Sequence, residues 1–207
     1  MDVAARERDF VRVTGPDAAD YLQRMVSNDV EALGADEACP ALLLTAKARL
    51  IAPLVVLRRA DDDFLLLTEP GLGEVVRSHL TRMRLRARCE IEPETHESAL
   101  VFGASTGFAT DWPGAREAVD ADLTATLSGE DLELRRIERG VPRWEHELDD
   151  RILPAEAGLD RTHISFSKTL SSGRTAMIER SARGRTNIMA HNVSLTRPRG
   201  PTFSRCF

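Results

Sequence analysis

Three apolar runs, at residues 41–45, 50–57 and 64–67, are separated by two short charged breaks, Lys47-Ala48-Arg49 and Asp61-Asp62-Asp63. Breaks this short leave no room for a helical crossover, so the runs can pair only as antiparallel neighbours. Upstream, Phe10-Val11-Arg12-Val13 alternates like a half-buried strand and runs into Gly15-Pro16-Asp17. Asp17 stands where an N-cap belongs, because Ala18, Tyr21, Leu22, Met25 and Val26 follow at helical spacing. Ser27-Asn28-Asp29 ends that helix, since these side chains compete for backbone hydrogen bonds.

From Gly71 the period changes. Leu72, Val75, Val76, Leu80 and Met83 form one apolar helical face. Residues 89–91 and 99–102 read as short strands, and 103–114 as a turn-rich loop. Residues 123–127 and 132–137 are apolar enough to be strands, or a strand and the start of a helix. Strands and helices come in runs without regular alternation. The expected class is therefore α+β, with antiparallel or mixed sheets and packed helices.

The 207 residues suit one large domain or two small ones, and 42% apolar with 29% charged residues is ordinary for a globular chain. The longest apolar run, 50–57, is broken by Pro53 and falls far short of the ~20 residues of a membrane span. Asp2, Arg6, Glu7, Arg8 and Asp9 leave no signal-peptide core, so no membrane association and a cytoplasmic location are expected. Cys39, Cys89 and Cys206 have neither metal-binding nor disulfide-framework spacing. Lys47 and Lys168 are the only lysines among 28 basic residues, an arginine bias that a GC-rich coding sequence explains.

Charge is uneven. Residues 151–207 hold 10 basic and 3 acidic side chains, a net of +7, which leaves −12 on residues 1–150. The usual catalytic signatures are missing: no dinucleotide fingerprint, no phosphate loop and no nucleophile elbow. Glu145-His146-Glu147 offers metal-ligand chemistry, yet a solvated turn is the plainer reading, because adjacent strand residues point to opposite faces.

One ordered set of short motifs carries more. It begins with Val13-Thr14-Gly15-Pro16-Asp17-Ala18 through Tyr21-Leu22-Gln23, then Ser27-Asn28-Asp29-Val30 and Leu43-Leu44-Thr45-Ala46-Lys47-Ala48-Arg49-Leu50. It continues with Arg136-Ile137-Glu138-Arg139-Gly140, Leu153-Pro154-Ala155-Glu156-Ala157-Gly158-Leu159 and Phe166-Ser167-Lys168. In this order they resemble the folate-binding superfamily of the glycine-cleavage T-protein, an aminomethyltransferase, and within it the YgfZ-like branch. Both lysines fall at motif positions.

The resemblance implies a folate-binding domain over residues 1–165, in one piece or as two intertwined α+β subdomains, with tetrahydrofolate or another reduced folate as cofactor. It assigns pterin recognition to Glu138, because a carboxylate can accept two adjacent pterin N–H groups. Arg136 and Lys168 complete the expected cofactor-binding set, Arg136 for the anionic glutamate end. The branch implies folate and iron–sulfur client proteins as partners, with a role in iron–sulfur enzyme maintenance and tRNA modification. It implies no direct nucleic-acid contact.

Two departures matter. Aminomethyltransferases carry an aspartate in the strand after the Gly-Arg turn, and residues 50–55 here contain no carboxylate. Aminomethyl transfer is therefore the alternative to a folate-binding YgfZ-like protein, and an inactive truncated remnant is a further one. After Lys168 the branch expects Gly-Cys-Tyr-x-Gly-Gln-Glu, whereas Thr169-Leu170-Ser171-Ser172-Gly173-Arg174-Thr175 stands there. Residues 166–207 thus form an atypical basic tail, poorly suited to order, and the C-terminal β-barrel of the family is missing. Either the segment has diverged, or the reading frame slipped near Lys168; the abrupt change in composition favours the slip and removes weight from the tail's charge.

Overall fold

The computed structural model of the protein describes residues 1–166. The expectations placed on the tail, including Lys168, lie outside the described residues. The chain forms β1 (Asp2–Ala5), β2 (Asp9–Thr14), α1 (Ala18–Met25), β3 (Glu37–Leu44), β4 (Leu50–Ala60) and β5 (Asp63–Thr68). It continues with α2 (Gly73–Met83), β6 (Glu90–Glu94), β7 (Ser98–Phe102), β8 (Phe108–Ala109), β9 (Ala115–Val119) and α3 (Gly129–Glu138). Two short 3₁₀ turns follow, Pro154–Glu156 and Leu159–Arg161.

The fold is α+β, and every pairing between these strands is antiparallel. The expected meander is β3-β4-β5, extended by β2 and β6 into a five-stranded sheet of order β3-β4-β5-β2-β6. β1 does not join it. It pairs with β7 in a second sheet, β1-β7-β9-β8, so the chain leaves that sheet after five residues and re-enters it near residue 98.

Alternation along the strands explains why the central runs are almost wholly apolar. Val11, Val13, Leu54, Val56, Phe64 and Leu66 face α1 and α2. Phe10, Val55, Leu57, Leu65 and Leu67 face the opposite way, toward Phe108 of β8. With a period of two, both faces of the sheet are buried. At the sheet's edge Leu42, Leu44 and Leu50 pack against Leu148, Leu159 and Ile164, which fastens residues 148–164 to the body.

Several local expectations change. Asp17 precedes α1, but its carboxylate makes no cap bond. It accepts instead from the Arg88 backbone N–H at 2.8 Å and from the Arg88 guanidinium at 2.8 and 3.1 Å, a bidentate ionic pairing stronger than a neutral cap. Of the apolar face expected for α2, Leu72 just before the helix, Val76 and Leu80 are buried, while Val75 and Met83 are exposed, so the face is narrower than its spacing suggests. Residues 123–127 are not a strand; Thr126 and Leu127 donate backbone N–H groups to the Val3 carbonyl and cover the outer edge of β1. The segment 103–114 contains the short strand β8, and 115–119 is an unexpected strand whose sequence, AREAV, is too polar to announce itself.

The β3–β4 hairpin closes through Ala48 N–H to Thr45 O at 2.9 Å and Thr45 N–H to Arg49 O at 2.9 Å, with a register shift at Leu43/Leu44. Such a turn needs a left-handed residue. Here it is Ala48, at φ 57° and buried, a conformation that costs a non-glycine residue about 1–2 kcal/mol. An Ala→Gly change at the fully buried Ala41 should cost about 1.5 kcal/mol, from a lost methyl and added chain freedom. The same change at Ala48 removes a strain of similar size, so it should be near neutral. Urea unfolding of the two variants measures the contrast; equal losses would show that Ala48 is unstrained.

Candidate functional site

The two sheets meet at a buried ionic cluster built from four distant segments. Arg6 and Arg8 come from the link between β1 and β2, Glu69 follows β5, Asp111 follows β8, and Glu117 lies on β9. Arg8 and Glu117 have fully buried side chains. Arg8 Nε and Nη2 donate to the two Glu117 carboxylate oxygens at 2.9 and 3.0 Å. Arg8 Nη2 also reaches Asp111 Oδ1 at 3.0 Å, and Arg6 grips Asp111 through 2.6 and 3.0 Å bonds. Ser98 and Thr110 hydroxyls donate to Glu117 at 2.8 and 2.5 Å. Glu69 Oε1 accepts from Arg6 at 3.2 Å and from Arg8 at 3.4 Å.

Desolvation works against every ionised group here. It is outweighed by Arg6 and Arg8, which hold the Asp111 and Glu117 carboxyls below their usual range. Three carboxylates oppose two guanidiniums, so the cluster carries one uncompensated negative charge.

Glu69 marks the way out of the cluster. A cleft of about 400 Å³ is walled by Arg6, Glu69, Trp112, Arg136, Arg143 and Trp144. An adjoining cavity of about 160 Å³ shares Glu69, Val141 and Pro142 with it, and is closed by Pro53, Asp111 and His163. Apolar and aromatic walls with a few convergent charged groups are what a small-molecule site requires. A larger hollow of about 690 Å³ runs along β1, but it is lined mostly by alanine and other short side chains, with no Phe, Tyr or Trp. The cleft and its side cavity are the better candidate.

Pro53 stands in the stretch that lacks a carboxylate in sequence. In space that gap is filled, because Asp111 and Glu69 face the same cavity as Pro53. Sequence reading missed both, since neither belongs to a motif.

Arg136 is buried and lines the cleft. Its Nε and Nη2 donate to Glu133 at 2.9 and 3.0 Å, Nη1 to the Val141 carbonyl at 2.6 Å, and Nη1 and Nη2 to Glu147 at 3.0 and 3.3 Å. All five donors are engaged, so Arg136 serves as a strut between α3 and the turn after it. Glu138 ends α3 exposed to solvent. It makes no hydrogen bond or ion pair with the described residues and lines neither cavity. The structure thus brings Arg136 to the cleft, leaves Glu138 outside it, and does not describe Lys168.

The motifs around these residues prove to be turn chemistry. Gly140, at φ 63°, closes α3 with Gly140 N–H to Ile137 O at 3.1 Å and Val141 N–H to Arg136 O at 3.0 Å. This is the pattern of a Schellman cap, and it turns Val141 into the cavity wall. Glu156 folds back to accept from Leu153 N–H at 3.0 Å, and Gly158, at φ 71°, admits the next turn. Ser27 donates to the His163 carbonyl at 2.6 Å and accepts from Leu42 N–H at 2.8 Å, pinning the far wall. Glu145-His146-Glu147 is a surface turn whose Glu147 serves Arg136.

Glu117→Gln leaves Arg8 buried with one charge partner fewer, and should cost about 3–5 kcal/mol in urea unfolding at pH 7. Because Asp111 and Glu117 are depressed in the folded state, their contribution is present above the usual carboxylate range and lost as pH falls through it. The wild type should therefore lose stability between pH 5 and 3, and Glu117→Gln should lose less. Parallel pH profiles for the two proteins would contradict a stabilising ionised Glu117.

No curated protein matches the chain. The crystal structure of glycine cleavage system aminomethyltransferase T from Bartonella henselae is similar over 48% of this chain, at 18% identity and a TM-score of 0.45. The match spans only 28% of that protein's chain. In sequence, residues 4–103, from β1 through β7, match the family model of the GCVT N-terminal domain.

Proposed function

We propose that this domain binds a reduced folate in the cleft beside Glu69, as a YgfZ-like protein of the T-protein superfamily. The observation that carries the reading is the joined pair of cavities. The larger holds two indoles, Trp112 and Trp144; the smaller holds the carboxylate of Asp111, with Glu69 at their common edge. A pterin edge presents adjacent N–H donors that a carboxylate can accept in pairs. The aminobenzoyl bridge suits stacking against an indole. Arg143, half-buried at the rim, spends one N–H on Glu133 at 3.2 Å and one on His146 and keeps others for the anionic tail, whereas all five donors of Arg136 are committed. The match of residues 4–103 to the GCVT N-terminal domain supports the same ligand class. A role in iron–sulfur enzyme maintenance, and through it tRNA modification, rests on the resemblance to the YgfZ-like branch.

A second reading, aminomethyl transfer, is favoured by one observation: Asp111 and Glu69 line the cavity that Pro53 closes. It requires turnover with an aminomethylated lipoyl carrier, and absence of turnover in a folate-saturated protein would dispose of it.

Isothermal titration with tetrahydrofolate tests the first reading. Wild type should give saturable heat. Glu69→Gln should bind at least tenfold more weakly, about 1.4 kcal/mol, and Glu138→Gln within twofold of wild type. Urea midpoints of both variants separate a lost contact from a lost fold. Absence of heat with wild type overturns the reading. A loss confined to Glu138→Gln would move the pterin to the exposed end of α3, where the sequence resemblance puts it.

A further inference from the structure

The smaller cavity contains a group that neither the ionic cluster nor folate recognition has used. His163 is 4% exposed and lines the cavity with Pro53, Glu69 and Asp111. Its place is tightly fixed. The Ser27 hydroxyl donates to its carbonyl at 2.6 Å, its own N–H donates to Leu159 O at 2.9 Å, and Thr162 Oγ1 lies 2.7 Å from Nδ1. A ring held at Nδ1 has a set orientation, and Nε2 is the nitrogen left without a hydrogen-bond partner among the described residues.

The charged groups around it are Asp111 and Arg8, with Glu69 on the same cavity wall. Burial pushes the imidazole below its ordinary value; Asp111 opposes that shift and Arg8 adds to it. The ring is therefore neutral at pH 7 and able to take a proton from a ligand. A cavity of about 160 Å³ is the size of one six-membered ring, as a void of about 150 Å³ holds benzene. The net negative charge of the neighbouring cluster attracts such a ring in its protonated form.

We propose that His163 is an acid–base group for a ligand bearing a weakly basic ring nitrogen or aromatic amine, exchanging a proton with it at Nε2. In the forward step the ligand's N–H bond breaks, its electron pair stays on the ligand nitrogen, and an Nε2–H bond forms. Asp111 faces the imidazolium so produced, and the reverse step returns the proton. The proposal meets the folate reading at one point, since tetrahydrofolate is one ligand of this class; the cavity chemistry stands without it.

The test is nuclear magnetic resonance of the full chain labelled with ¹⁵N-histidine, with His163→Gln identifying the signal by its loss. The probes are 2-aminopyridine, whose cation offers two N–H donors and an acidity near that of imidazole, and tetrahydrofolate. The free protein should show a neutral His163 ring at pH 7. Saturation with 2-aminopyridine should move its Nε2 resonance part of the way toward the imidazolium position, as Nε2 accepts the N–H of the probe cation, while exposed His146 stays in place. In Glu69→Gln the same shift should need about tenfold more probe. A His163 signal unmoved by 2-aminopyridine, or moved equally by sodium chloride, overturns the proposal. A response to 2-aminopyridine without one to tetrahydrofolate upholds it and counts against folate. Folate heat with an unmoved His163 does the opposite.

Discussion

The pairing of Arg8 with Glu117 is the constraint on which the rest of the structure depends. Both side chains are fully removed from water, and each ion would cost several kcal/mol if left alone there. The cost is offset only when Asp111, Arg6, Ser98 and Thr110, all from the four-stranded sheet or its links, are in place, while Glu69 reaches the same arginines from the end of β5 in the other sheet. The cluster is stable in one arrangement of the sheets and costly in others. It also explains why the chain starts in one sheet, completes the other and then returns: Arg6 and Arg8 lie at the crossing itself.

From that constraint the site follows. Two guanidiniums cannot neutralise three carboxylates, so the junction between the sheets is negative, and Glu69 and Asp111 carry that charge to the cavity walls. The opposite walls are supplied by residues 140–163, held against the body by Ser27 and by the apolar contacts of Leu148 and Leu159. The result is a smaller end bearing Asp111 and His163 and a larger end bearing Trp112 and Trp144, which meet at Glu69. The proposed folate would place its planar, nitrogen-rich head beside Glu69 and its anionic tail toward the rim, with His163 lining the smaller end.

How much of this could be read beforehand depended on the range of the interaction. The β3-β4-β5 meander was legible because its cause is local: apolar runs with breaks too short for anything but hairpins. The α+β class followed from it. The ionic cluster was not legible, because Arg8 and Glu117 lie 109 residues apart and no periodicity marks them. β1 and β9 were missed for the same reason, being held by partners rather than by their own composition. The motif residues are legible in the sequence, and what the structure adds is their local geometry. Gly140, Gly158 and Glu156 shape turns, and Arg136 is a strut whose donors are all engaged. Glu138, to which the resemblance assigns the pterin, is exposed, while Glu69, outside any motif, lines the cleft.

The chain contains two tryptophans, Trp112 and Trp144, and both line the cleft. Intrinsic fluorescence excited beyond the absorption of Tyr21 therefore reads the site with no label. Titration with tetrahydrofolate should quench the emission saturably, with Trp144→Phe removing most of the response and Glu69→Gln shifting the midpoint upward. Emission that stays constant while tetrahydrofolate demonstrably binds would place the ligand elsewhere and contradict the assignment of this cleft.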